Sequence, residues 1–128
     1  MIHQFSRTAM LFIEKTLLEC EQCEGFSGAA LSSPDGLVLA MQGQISGDEA
    51  AACASSLFVD STTALNYISE SQPKMMLIWT QEKLLSLHKL NDGSIFFISS
   101  TEMSNYHAVL KFSLQIAKKL NHALSVLG

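Results

Sequence analysis

Between residues 7 and 22 apolar side chains return every three or four positions, at Met10, Ile13, Leu17 and Cys20, with Ala9, Phe12 and Leu18 beside them. That spacing is one face of an amphipathic helix. Gly25 ends it, and two short apolar runs follow, over residues 26–32 and 37–41, separated by Ser33, Pro34, Asp35 and Gly36. Pro34 presets φ for a turn, Asp35 is expected to bond its own backbone, and Gly36 tolerates positive φ. These three residues predict a β-hairpin turn whose role is structural.

Ser46 stands three residues before Glu49, the spacing of a capping box, and an Ala-rich helix is expected from there to about residue 70. Three strand-like runs come next, over residues 74–80, 84–90 and 94–99, and the last two are separated by Asn91, Asp92 and Gly93. An Asp-Gly pair marks a tight turn, so the three runs predict an antiparallel meander. Ser104 or Asn105 opens a final helix with a wide apolar stripe of Val109, Leu110, Phe112, Ile116, Ala117, Leu120 and Leu124. The order is α-β-β-α-β-β-β-α. Residues 74–79 and 95–98 are apolar on both alternating faces, so the sheet has to be covered on both sides. The expected fold class is α/β, a three-layer α/β/α sandwich around one five-stranded antiparallel sheet, in a single domain spanning residues 1–128.

The central helix carries two apolar stripes. Cys53, Leu57, Ala64 and Ile68 are assigned to its own sheet, and Ala51, Ser55, Phe58, Thr62 and Leu65 to a partner. The run over residues 74–80 follows a helical crossover and pairs only with residues 84–90, which places it at the sheet edge. Bare edges of Met, Leu, Ile and Trp invite pairing with another chain. A second copy meeting it antiparallel makes Lys74, Met76, Ile78 and Thr80 the expected remainder of the dimer interface.

Composition agrees with self-association: 48% of the 128 residues are hydrophobic and only 16% charged. The net charge of −4 and a single arginine, Arg7, exclude a phosphate-reading surface, so no nucleic-acid partner is expected. No run approaches the ~18 apolar residues that cross a bilayer, and no signal segment is evident, which makes a cytoplasmic location the expectation. Cys20 and Cys23 match C-x-x-C, but at a helix C-terminus among Glu19, Glu21 and Glu24, where a thiolate is disfavoured. With Cys53 they read as reduced thiols. His3, His88, His107 and His122 are scattered without metal spacing, and neither a nucleotide loop nor a nucleophile elbow forms around Gly25 and Gly28. No catalytic residue, metal or cofactor is expected, and the chain reads as a non-enzyme.

Residues Gly25 to Ala40, with their Pro34-Asp35-Gly36-Leu37 turn, then Asp48-Glu49-Ala50-Ala51-Ala52 and later Asn91-Asp92-Gly93 with Ile95 to Ile98, resemble the roadblock/dynein light chain family in the right order along nearly the whole chain. The resemblance implies a roadblock/profilin-like fold in a bacterial-type member of the family. It also implies a homodimeric or heterodimeric scaffold that regulates a small Ras-like GTPase by remodelling the partner's own switch regions, or a light chain on a motor complex, with no catalytic residue to carry over. Two alternatives have other chemistry. An acidic dimeric chaperone of a bacterial secretion system resembles α-β-β-β-α-β-β-α, and a small-molecule sensor domain needs a pocket with convergent polar groups.

Overall fold

Ser6 opens the first helix: its hydroxyl accepts from the Ala9 N–H at 3.0 Å, and α1 runs Arg7–Glu19 before tightening into a 3₁₀ turn at Cys20–Gln22. The computed structural model describes residues 6–101 and 103–127; His3 and Glu102 fall outside them. After α1 come β1 (Phe26–Ser32), β2 (Val38–Gly43), α2 (Gly47–Asn66), β3 (Met75–Trp79), β4 (Lys83–Lys89), β5 (Ile95–Thr101) and α3 (Tyr106–His122), which continues into a π turn at Ala123–Leu127. The five strands form one antiparallel sheet in the order β2-β1-β5-β4-β3. The observed element order is therefore the expected one, and not that of the secretion chaperones.

Two of the three hairpins close on the same three-residue loop. In β1–β2 the Ser33 N–H bonds the Leu37 carbonyl, and in β4–β5 the Leu90 N–H bonds that of Ser94, each at 2.7 Å. Gly36 and Gly93 end the loops at φ +85° and +90°, a left-handed conformation that costs other residues about 1–2 kcal/mol. The Asp92 carboxylate accepts from the Ser94 N–H at 2.8 Å and its hydroxyl at 3.0 Å. Asp35 makes no such bond among the described residues, contrary to expectation. Ser33 takes that role, its hydroxyl accepting from the Leu37 N–H at 3.1 Å.

Helix α2 begins where the capping box puts it, with the Ser46 hydroxyl accepting from the Glu49 N–H at 3.4 Å. It ends four residues earlier than the apolar pattern suggests. Ser69 turns to φ +60° and the Glu70 N–H reaches back to the Leu65 carbonyl at 3.0 Å, a closure that satisfies the last free carbonyls.

The sheet's alternation sends Ala29, Leu31, Leu84, Phe96 and Ile98 to one face, against Ile13 and Leu17 of α1 and Val109, Ile116 and Leu120 of α3. Ala30, Leu87, Ile95 and Phe97 go to the other face, against Ala50, Ala54 and Phe58 of α2. Each large side chain so buried contributes about 1.5–3 kcal/mol. No helix among the described residues is long and apolar enough to cross a membrane.

Candidate interaction site

Strand β3 pairs with β4 from Met75 opposite His88 to Trp79 opposite Leu84 and, among the described residues, with nothing on its other side. One row of its backbone donors and acceptors therefore faces solvent. Residues 75–78 are all half-buried, and Trp79 is exposed at the end with its ring edge-on to Tyr106, 5.3 Å between centroids. Met76 and Ile78 face the α2 side, where they join Leu85 and Leu57 at the margin of the core. Lys74 and Thr80 flank them and are exposed.

The two stripes of α2 are exchanged relative to the sequence reading. Ala51 and Phe58, assigned to a partner, are 2% and 3% exposed, and Phe58 packs in the core with Ala30, Ile95 and Phe97. The Lys89 amine sits 5.9 Å from its ring centroid. Ser55 and Thr62 lie half-buried in a shallow cleft beside Pro34 and Gly93, where the Thr62 hydroxyl donates to its own helix at the Phe58 carbonyl, 2.7 Å away. Leu65 is half-buried further along. Cys53, Ala64 and Ile68, assigned inward, are exposed instead. Leu57 and Phe58 are adjacent in sequence, about 100° apart around the helix, and the alanines between the stripes carry too little contrast to say which of the two turns in.

This exchange leaves an apolar flank beside β3. The Ser61 hydroxyl donates to the Met76 sulfur at 3.3 Å, Leu57 packs beside Met76 and Ile78, and helical spacing carries the same flank through Cys53 and Ala64.

Sequence reasoning missed a polar cluster on the opposite face. His88 Nε2 lies 2.9 Å from the hydroxyls of both Ser86 and Ser113, which are 3.0 Å apart. All three are buried, and burial pushes the imidazole down from 6.5 to about 4, so it is neutral at physiological pH. No carboxylate bonds this histidine among the described residues, and both hydroxyls are sealed from solvent, so the cluster lacks the oriented base and open nucleophile of a catalytic triad. The alternation Leu84-Ser86-His88 on an inward-facing strand was the available signal.

The cysteines show why the C-x-x-C pair is inert. Burial, with the nearby Cys23 and Glu19 adding to it, pushes Cys20 up to about 12, and burial also raises Cys23. Among the described residues no group of three or more His, Cys, Asp or Glu could hold a metal ion.

A Roadblock/LC7 domain family model matches residues 12–100. No curated protein matches the sequence. The fold matches solved structures over almost its whole length: Myxococcus xanthus MglB with TM-score 0.87 at 10% identity, covering 99% of this chain and 97% of that one. The gliding protein MglB from Thermus thermophilus gives 0.86 at 12% identity, with 98% of each chain covered. An MglB in a tetrameric arrangement gives 0.86 at 14%, also with 98% of each.

Proposed function

The chain belongs to the Roadblock/LC7 family, and on that premise we propose that it is a non-catalytic, dimeric scaffold that binds a small Ras-like GTPase and modulates its nucleotide cycle in the cytoplasm. The observation that carries the dimer is the bare β3 edge beside the apolar α2 flank. A twofold axis at that edge pairs β3 with its copy, joins two sheets into one, and sets the two α2 helices side by side. Lys74, Met76, Ile78 and Thr80 of the original assignment belong to this interface, joined by Leu57, Cys53 and Ala64, while Ala51 and Phe58 serve the protomer's own core.

The regulation acts through the partner's own groups. Arg7, the only arginine, stands at the start of α1 on the opposite face of the sheet from α2, which leaves no guanidinium on the proposed surface to act as a finger. Single-turnover GTP hydrolysis and nucleotide release by small Ras-like GTPases from the source cell, each measured with and without this chain, test the reading. A changed rate with at least one GTPase is expected, kept by Arg7→Ala and lost in Ile78→Lys. An arginine finger is worth roughly 10³–10⁵ in rate, so a loss of that order in Arg7→Ala overturns the mechanism. No effect on any GTPase overturns the function.

A further inference from the structure

On the face of the sheet away from α2, an open groove of about 840 Å³ runs between α3 and the β3–β4 end of the sheet. Its sheet side carries Met75 and His88; its helix wall carries Lys111, Leu114 and Lys118. The protein has 12 acidic residues against 8 basic ones, yet no carboxylate lines this groove, and Lys74 joins the two α3 lysines around it. None of the three amines pairs with a carboxylate among the described residues. The Lys89 amine takes no part, since it lies over Phe58 on the other face.

The floor is prepared for a polar contact. His88 is 4% exposed and its Nε2 is committed to Ser86 and Ser113, while Nδ1 has no partner among the described residues and is not sealed from the groove. Along the wall, Lys111 and Lys118 are two helical turns apart, about 10 Å, with the half-exposed Leu114 between them. A compact anion meets one of these amines. A chain with carboxylates at intervals meets both and lays an apolar side chain on Leu114 and Met75.

We propose that this groove docks an acidic, leucine-bearing segment of a partner protein. The groove and the α2 flank lie on opposite faces of the sheet and share only Lys74, just before β3, which none of the variants below alters, so the proposal can fail or stand apart from the GTPase reading. A fluorescein-labelled peptide of Glu-Glu-Leu-Leu repeats, titrated with the full chain by anisotropy, tests it beside Gln-Gln-Leu-Leu and Lys-Lys-Leu-Leu peptides. Expected are saturable binding of the acidic peptide alone, weaker at higher salt, and a shifted ¹⁵N resonance of the His88 ring. Lys111→Glu or Lys118→Glu lowers affinity roughly tenfold or more, and Leu114→Gln lowers it at unchanged charge. Lys15→Glu, the same change of charge on α1, leaves it intact. Equal binding of the Gln peptide, equal weakening by Lys15→Glu, or an unmoved His88 resonance overturns the proposal. So does co-sedimentation with phosphatidylglycerol vesicles without peptide binding, or a change in oligomeric mass that tracks Lys118→Glu without it.

Discussion

The two faces of the sheet come from the same alternating strands and end in different states. Against α1 and α3, Leu31, Leu84, Ser86, Phe96 and Ile98 are fully enclosed, and the two helices cover the sheet from β2 to β4, leaving the β3 end open at the groove. Against α2 the cover is one Ala-rich helix resting on β1, β2 and β5, so Met76, Ile78 and Leu85 stay half-buried beyond its flank. Apart from that groove, the first face is finished within one chain and holds the protomer together. The second is unfinished, and on the proposed reading a second copy completes it.

The largest expected effect separates the faces by what breaks. Phe96→Ala empties a fully enclosed site and costs about 3–5 kcal/mol of unfolding free energy, a large share of the roughly 5–15 kcal/mol typical of a domain. Urea unfolding followed by circular dichroism reads this as a shifted midpoint at every protein concentration. Ile78→Lys on the other face makes apparent stability less dependent on concentration, because it weakens association rather than the protomer. Should Phe96→Ala leave the midpoint near wild type, the enclosed face is not what holds the protomer.

Next in size is a pH effect confined to the finished face. Unfolded, His88 binds its proton near 6.5; folded, burial defers this to about 4. Between those values the unfolded state holds more protons, so stability falls as pH drops through the window and levels off below it, by about 3 kcal/mol in all. Urea midpoints measured from pH 7 to pH 4 should show this slope, and His88→Asn should flatten it. An unchanged slope in that variant assigns the acid sensitivity to other groups.

Much of this division is legible in the sequence, and the reasons are local. The loops at Gly36 and Gly93 need positive φ, which glycine announces. Ser46 with Glu49 marks the start of α2, and the doubly apolar runs of β3 and β5 demand cover on two sides. What stays hidden depends on tertiary packing. Which flank of α2 turns inward is decided by Phe58 filling space over Ala30 and Phe97, residues far away in sequence. The Ser86–His88–Ser113 cluster joins β4 to α3 across 25 residues, and no local pattern connects them. The end of α2 at Asn66 rests on Ser69 taking a conformation usually left to glycine or asparagine.

The smallest energetic effect gives the sharpest test of the unfinished face, because the three thiols divide between the two. Cys20 and Cys23 are buried on the finished side, with Cys20 held to about 12 and Cys23 also raised, and a maleimide should reach them only when the protomer opens. Cys53 is exposed, and helical spacing from Leu57 and Ser61 sets it on the α2 flank that faces β3; Cys53→Ser should alter protomer stability by no more than about 0.5 kcal/mol. If a second copy covers that flank, Cys53 labels slowly at concentrations where the dimer forms, and quickly on dilution or in Ile78→Lys. The labelling rate therefore reads the flank directly, with Cys20 and Cys23 as internal controls for unfolding. Fast labelling of Cys53 in a species that sediments as a dimer puts the second copy somewhere other than against α2, and the bare β3 edge must then be covered without that helix.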